Sequence, residues 1–359
     1  MSDARGDRCS DAMRLRACSI VVATCALLPA AMPAPAAPRC SDDCAPRIGI
    51  VSAFGAEADL LIAETRSRRT LTIAGQHFTT GVLRGNRVVI VLSGVSMVNA
   101  ALTTQRLLDR FRIERLVMSG IAGGIDPSRH VGDVVVPESW SMPMEVYWNQ
   151  DASAPAPCGA SGELACLGLR LARPDGRALP SYVLPGGAAS GLFMRENQVT
   201  SNRSGPAGEF VFDYAADPAM LDVARKLAPA LERCGPKARG AGGVDPKLCV
   251  GGQPELVVGG RGVSGTAFLA NAAYRGYLFE QLGARSVDME TAALAHVARA
   301  NGVPFIAFRS LSDLAGADGF NADVAALFAS GLAERNASAV TLSFLTAWAR
   351  RVQAHPGRR

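Results

Sequence analysis

The sequence predicts an α/β protein, a single domain in which strands and helices alternate. Three observations carry that prediction. Short apolar runs such as 47–53, 87–92, 116–119 and 305–308 are bounded by Gly, Ser or Pro and have the length of buried strands. Between them lie stretches with apolar residues at helical spacing, an alternation that builds a mostly parallel sheet. The composition is that of an ordinary globular chain: of 359 residues, 48% are hydrophobic and 19% charged, enough for one large core.

The same composition excludes some partners. Aromatic residues make up 6% and the net charge is +5, with basic residues scattered apart from Arg350, Arg351, Arg358 and Arg359. Stacking platforms and a basic stripe are both missing, so no nucleic-acid partner is expected. The four histidines, His77, His130, His296 and His355, have no metal-ligand spacing. Neither a metal nor a cofactor is expected.

Taken in order, the chain opens with what reads as a secretory signal over 1–37. Arg14 and Arg16 precede the apolar segment 17–31, and small residues follow around Ala34-Pro35-Ala36-Ala37. The segment is too short and too interrupted by Pro to span a bilayer, so an exported, periplasmic or secreted protein is expected, with no membrane partner in the mature form. Cleavage near Ala37 leaves six cysteines, at 40, 44, 158, 166, 234 and 249. An even number in an exported chain points to disulfides, with Cys158–Cys166 and Cys234–Cys249 as the nearest-neighbour pairs.

The domain itself is expected over 46–350. A strand at 47–53 leads into a helix at 57–66. Strands follow at 70–74, 78–83 and 87–92, with turns at Gly75 and Gly85-Asn86. A helix over 97–111 carries Val98, Leu102, Leu107 and Leu108 as its apolar face. A strand at 116–119 then ends in the Gly-rich turn 120–124, and 131–136 completes the first half. From about 150 to 252 the texture changes to Gly, Pro, Ala and Ser with the four late cysteines. This span reads as a disulfide-containing insertion, regular only at 210–214 and 219–231. Regular pattern resumes at 256–263, with helices expected over 271–282 and 323–349.

The stretch 286–318 gathers chemistry. Asp288 can cap a helix starting at 289–290, which Gly302 and Pro304 terminate. That helix runs about 16 Å one way, and a strand from Pro304 to Arg309 returns about 17–20 Å. Glu290, Arg309 and Asp313 therefore reach one end of the sheet. Four junctions, 52–57, 94–96, 120–124 and 309–313, place a small-residue turn after a buried strand, where α/β sheets bind ligands.

These blocks resemble the nucleoside phosphorylase superfamily, and within it the methylthioadenosine/S-adenosylhomocysteine nucleosidases and the secreted plant bark storage proteins. The resemblance is carried by Ile48-Gly-Ile-Val-Ser-Ala-Phe-Gly-Ala-Glu57, Ser93-Gly-Val-Ser-Met-Val-Asn-Ala-Ala101, Gly120-Ile-Ala-Gly-Gly-Ile-Asp-Pro-Ser128, Val263-Ser-Gly-Thr-Ala-Phe268, Val287-Asp-Met-Glu-Thr-Ala-Ala293 and Arg309-Ser-Leu-Ser-Asp313. It implies a phosphorylase/hydrolase-like domain with a mixed central sheet flanked by helices, and a homodimer. Its small-molecule substrate would be a purine nucleoside.

The resemblance also implies roles. Asp313 would protonate N7 of a leaving adenine, oriented by Ser312, while Glu57 activates water. Glu290 would hold the ribose hydroxyls, with Met289 against the sugar and Phe268 stacked on the purine, and Gly123 would be among the substrate-binding residues. Arg309 would keep the carboxylates ionised and placed. Phe54 and Phe320 would line the 5′-substituent pocket. Neither the 52–57 turn nor the 94–96 turn contains an Arg to hold phosphate, which favours hydrolysis. A phosphate-dependent phosphorylase and a weakly catalytic storage or nucleoside-binding protein are the alternatives. Two positions depart from the family pattern, Ile121 where some nucleosidases carry Ser and Thr266 where Asp is common.

Overall fold

The computed structural model describes residues 43–143, 146–148, 169–170, 192–194, 197–240, 243–317 and 322–354. The expected signal segment, the Cys158–Cys166 pair and Phe320 lie outside them. The first half comprises β1 (Asp43–Ser52), α1 (Gly55–Glu64), β2 (Arg66–Ile73), β3 (Gln76–Leu83), β4 (Asn86–Leu92), α2 (Met97–Arg110), β5 (Phe111–Gly124), β6 (Val134–Val136) and β7 (Ser139–Ser141). Three short strands, β8 (Val146–Trp148), β9 (Leu169–Arg170) and β10 (Leu192–Met194), form a small sheet of their own. A hairpin of β11 (Asn197–Ser201) and β12 (Gly205–Val211) follows. After it come β13 (Tyr214–Ala215), α3 (Pro218–Ala224) and the ribbon β14 (Arg239–Gly240) with β15 (Gly243–Val244). The second half holds β16 (Leu256–Val258), β17 (Arg261–Ser264), α4 (Ala272–Leu282), β18 (Ala284–Asp288), α5 (Thr291–Asn301), β19 (Phe305–Asp313), α6 (Ala322–Ala329) and α7 (Leu332–Ala354).

One large mixed sheet organises these elements. Its main path runs β13-β7-β17-β18-β5-β1-β4-β3-β2, and β19 bridges β5 to β6. The strand β5 sits at the centre. It pairs in parallel with β1 and with β19, and its last residues meet β18 antiparallel. β5 is buried on both faces, and Leu116, Val117 and Met118 are wholly out of solvent. This near-continuous apolar run is what a central strand covered on both sides requires.

Where expectation and structure differ, the reason is local. β5 does not stop at Ser119 but runs through Gly120–Gly124, because β19 continues pairing alongside it, Arg309 to Gly120 and Asp313 to Gly123. β19 likewise extends past Arg309 to Asp313. Its inward hydroxyls find partners, Ser310 on the Gly132 carbonyl (3.3 Å) and Ser312 on the Ala122 carbonyl (3.3 Å), so polar residues do not end the strand. The single expected strand at 256–263 is two strands with different neighbours, divided at Gly259–Gly260, both at positive φ. The final helix is two helices broken at Gly331 (φ 83°). β18 has no counterpart in the expected elements. On α2, Leu107 and Leu108 are buried but Val98 and Leu102 face solvent, 74% and 52% exposed.

The second half of the span expected as an insertion is tied into the core. Val199, Val211, Tyr214, Met220 and Leu221 lie in the main apolar cluster, and β13 pairs with β7. α3 is capped by Asp217, whose carboxylate accepts from Met220 N at 2.9 Å. It ends at Ala224, earlier than its apolar pattern. The disulfide Cys234–Cys249 is present.

Candidate active site

Both expected glutamates, Glu57 and Glu290, converge on the guanidinium of Arg309, which is fully buried, while Asp313 stands apart from it. The position of Arg309 in the middle of β19 fixes the stem, and three carboxylates surround the head. Nε lies 2.7 Å from Asp288 Oδ2 and donates to Thr291 Oγ1 at 2.9 Å. Nη2 donates to Glu290 Oε2 at 3.2 Å, and Nη1 stands 3.7 Å from Glu57 Oε1. Nη1 itself makes no hydrogen bond. A planar fork serving several acids at separate angles is a task for Arg and not for Lys.

Glu57 enters from the first turn of α1. Its Oε2 accepts the N–H of Ala53 (2.5 Å) and of Phe54 (3.3 Å), and Oε1 accepts that of Ile121 (2.8 Å). The carboxylate thus occupies the N-terminal end of the helix, where unpaired amides favour an anion. Burial nonetheless dominates and pushes its pKa to about 7, against the opposing pull of Arg309 and of the Ile121 and Ala53 amides. Gly120 makes the arrangement possible, since a Cβ there would overlap both the Glu57 carboxylate and the Arg309 guanidinium.

Glu290 sits at the start of α5. Its Oε1 accepts the main-chain N–H of Ser96 at 2.9 Å. Ser96 holds φ at 91°, a region that non-glycine residues avoid, and that backbone aims its amide at the acid. Asp288 caps the helix as expected, accepting from Glu290 N and Thr291 N, both at 3.1 Å. Its second role as a partner of Arg309 was not legible from a capping pattern. Burial raises the Glu290 carboxyl, more than Arg309 lowers it. Arg309 favours the ionised form of both glutamates, as expected of it, but burial opposes it and shifts each carboxyl upward on balance.

Asp313 closes β19. Its Oδ1 accepts from Ala315 N (2.8 Å) and its Oδ2 from Ser312 Oγ (2.9 Å), as the pairing of Ser312 with Asp313 led one to expect. Burial raises its carboxyl above the ordinary range, with those two hydrogen bonds opposing. A Cβ on Gly123 would lie 3.2 Å from Oδ1, so the glycine lets the acid lie against β5.

A cavity of about 190 Å³ opens beside Glu290 and Asp313, with Glu57 and Arg309 behind its wall and not among its lining residues. Phe54, Gly123, Phe268, Met289, Glu290, Ser312 and Asp313 all line it, as do Ala267 and Ile121. Phe268 is 54% exposed, so it is a wall of the cavity and not core filling. Val95 and Phe328 also line the cavity, and Phe328 meets Phe268 edge-on with ring centroids 6.4 Å apart. Neither was singled out from sequence, because a lone apolar residue in a helical pattern looks the same whether it faces the core or a cleft. The main-chain donors of Ala53, Ser96 and Ile121 were equally invisible. Among the described lining residues the charged groups are all carboxylates, Asp288, Glu290 and Asp313.

Comparison with known proteins places the chain beside nucleosidases in sequence and in fold. The 5′-methylthioadenosine/S-adenosylhomocysteine nucleosidase of Halalkalibacterium halodurans is 27% identical over 277 residues, spanning 76% of this chain and 87% of the relative. The enzyme of the same name from Mycobacterium bovis is 26% identical over 271 residues, with the same coverage. A solved nucleosidase from Neisseria meningitidis, in complex with methylthio-immucillin-A, superposes with a TM-score of 0.55 at 19% identity, covering 84% of this chain and 98% of that one. The Colwellia psychrerythraea nucleosidase in complex with adenine gives a TM-score of 0.55 at 24% identity, covering 84% and 94%. These structural likenesses show a shared fold. The model of the phosphorylase superfamily matches residues 47–346, most of the chain, and the protein belongs to that superfamily.

Proposed function

We propose that the protein is an N-ribosyl hydrolase that releases adenine from 5′-thio-substituted adenosines of the methylthioadenosine and S-adenosylhomocysteine type. One observation carries the reading: Glu57 and Glu290 share the buried Arg309 while Asp313 faces the same cavity from the end of the same strand. Asp313, held by Ser312 and Ala315 apart from that cluster, can take a task separate from those of the two glutamates.

Asp313, whose carboxyl burial raises above the ordinary range, gives a proton to N7 as the C1′–N9 bond breaks, so adenine leaves neutral. Ser312 and the Ala315 amide hold the acid in place. The ribosyl group develops positive charge, and Glu290 accepts hydrogen bonds from its hydroxyls. A water between Glu57 Oε1 and Arg309 Nη1 fits the 3.7 Å pair and the unused donor. Glu57 takes a proton from that water as its oxygen bonds to C1′, leaving the free 5′-substituted ribose. A positioned acid or base of this kind contributes about 10²–10⁴-fold.

Water, not phosphate, is the nucleophile in this reading. Support comes from the lining, whose described ionisable residues are Asp288, Glu290 and Asp313, with no Arg, Lys or His among them to hold phosphate. Adenine release from methylthioadenosine, measured with and without phosphate, tests it. Equal rates are expected. Strict phosphate dependence overturns the hydrolase, and binding without release favours the storage or binding alternative.

Export and a homodimer belong to the same proposal. The Cys234–Cys249 bond is consistent with an oxidising compartment. The exposed Val95, Val98 and Leu102 at the start of α2 offer an apolar face to a second copy. Fractionation of the native cell and light scattering of the purified protein check the two points.

A further inference from the structure

The loop closed by Cys234–Cys249 has no task in the chemistry above, yet its contacts lead to the cavity wall. Its base is anchored on α7. Asn336 Oδ1 accepts from Glu232 N (2.8 Å), Asn336 Nδ2 donates to the Glu232 carbonyl (3.0 Å), and Arg335 Nε pairs with Glu232 at 3.0 Å. The turn Pro236–Ala238, just after Cys234, is anchored on the junction between α6 and α7. Lys237 Nζ donates to the Ala329 carbonyl at 2.7 Å, and Lys237 N reaches the Ser330 carbonyl at 3.4 Å. Gly235 packs so closely on Ser330 that any Cβ there would overlap it. The positive-φ Gly331 faces Pro236 in turn, a Cβ on it falling 3.2 Å from Pro236 Cγ. The turn Pro246–Leu248, next to Cys249, packs against α6.

α6 is eight residues long and rests on β19 and α7 on one side and on the Pro246–Leu248 turn on another, so its seating depends in part on these loop contacts. It carries Phe328, one residue before the carbonyl that Lys237 holds, and Phe328 forms the cavity wall against Phe268. The disulfide joins the two turns that grip α6: Pro236–Ala238 follows Cys234, and Pro246–Leu248 precedes Cys249.

We propose that the disulfide-closed loop 234–249 is a positioning brace for the substrate pocket, seating α6 so that Phe328 meets the bound nucleoside. Cys234, Cys249 and Lys237 are positioning residues that act through Phe328. None of them approaches Glu57, Glu290 or Asp313. Loss of the brace therefore weakens ground-state binding and leaves the proton transfers intact. Reduction of the bond by a thiol makes pocket affinity sensitive to the redox state of the surroundings.

The proposal rests on the nucleosidase reading for its kinetic arm and on the fold alone for its structural arm. Steady-state kinetics on methylthioadenosine would compare the oxidised protein, the thiol-reduced protein, Cys234→Ser/Cys249→Ser and Lys237→Met. KM is expected to rise about five- to tenfold without the disulfide, by the loss of an aromatic contact, with kcat within about twofold. Reoxidation restores KM, and Lys237→Met, which keeps the bond, raises KM in the same direction. In parallel, amide hydrogen exchange over 322–329 should speed up on reduction while that of 305–313 is unchanged. An unchanged KM with unchanged exchange in α6 overturns the brace. So does a fall in kcat with exchange rising equally in β19, which marks general loosening. Should the protein prove not to turn over nucleosides, the exchange measurement decides the brace by itself.

Discussion

Arg309 Nη1 stands 3.7 Å from Glu57 Oε1, and neither side chain reaches solvent beyond 1% of its surface. The two come from β19 and the first turn of α1, far apart in sequence, and meet above a glycine that leaves room for both. At that separation the two groups attract each other as an ion pair without a direct hydrogen bond.

Removing the cation should be the most damaging single change to stability. Arg309→Met leaves Asp288, Glu290 and Glu57 buried beside one another without compensation, a change expected to destabilise by about 3–5 kcal/mol. Arg309→Lys should recover little of it, because one ammonium cannot reach all three acids. Urea unfolding at pH 7.5 measures both; a Lys variant as stable as wild type would contradict the need for a fork.

Asp313→Asn should lower kcat by about 10²–10⁴-fold while calorimetric affinity for methylthioadenosine changes little. An amide still accepts the Ala315 N–H but has no proton to give. Near-normal turnover would remove Asp313 from the role of acid.

The pH profile follows from burial. Glu57 must be ionised to accept a proton and titrates near 7, so kcat/KM should rise with pH up to about 7. Asp313 must be protonated, and its raised pKa carries activity to higher pH than an ordinary Asp would before the falling limb begins. Glu57→Gln should reduce the rate and erase the acidic limb. A profile whose acidic limb survives that substitution would assign the limb to another group.

Stability and pH are linked through the same residue. Glu57 holds its proton more tightly folded, near 7, than unfolded, near 4.5. Its stabilising contribution is therefore full below about 4.5 and is lost as pH rises through 7, on the order of 3 kcal/mol at most. Glu290 and Asp313 are raised too and act with the same sign. The melting temperature of wild type should fall relative to Glu57→Gln between pH 5 and 8; parallel curves would show that Glu57 does not titrate there.

Gly120→Ala tests the close approach directly. The added methyl must displace the Glu57 carboxylate or Arg309, and a shift of about 1 Å in a reacting group can lower the rate about 10²-fold. Gly276→Ala is the control. It lies within α4 with nothing in reach of a Cβ, and should be neutral or stabilise by about 0.5–1 kcal/mol.

Much of the site was legible because short-range patterns locate strand ends. Asp288 and Glu290 are read from a capping signal before a helix and Asp313 from its place after the returning strand, while Met289 and Ser312 come from the family's pattern. What stayed hidden was pairing. β5 and β19 run on through Gly120–Gly124 and Ser310–Asp313 because each supports the other, and no local signal distinguishes a paired Gly-rich strand from a turn. Phe328 and Val95 were likewise ordinary helical or loop residues until the cavity formed beside them.

By itself, the sequence determined the alternation of strands and helices, the family, and which acids could do chemistry, since these depend on residue type and spacing. Only the tertiary structure decided that Glu57, Asp288 and Glu290 share one guanidinium, and that burial raises both glutamates despite it. Desolvation is the reason. The electrostatic character of a carboxylate is set by how much water the rest of the fold removes from around it, a property of packing that no single stretch of chain contains.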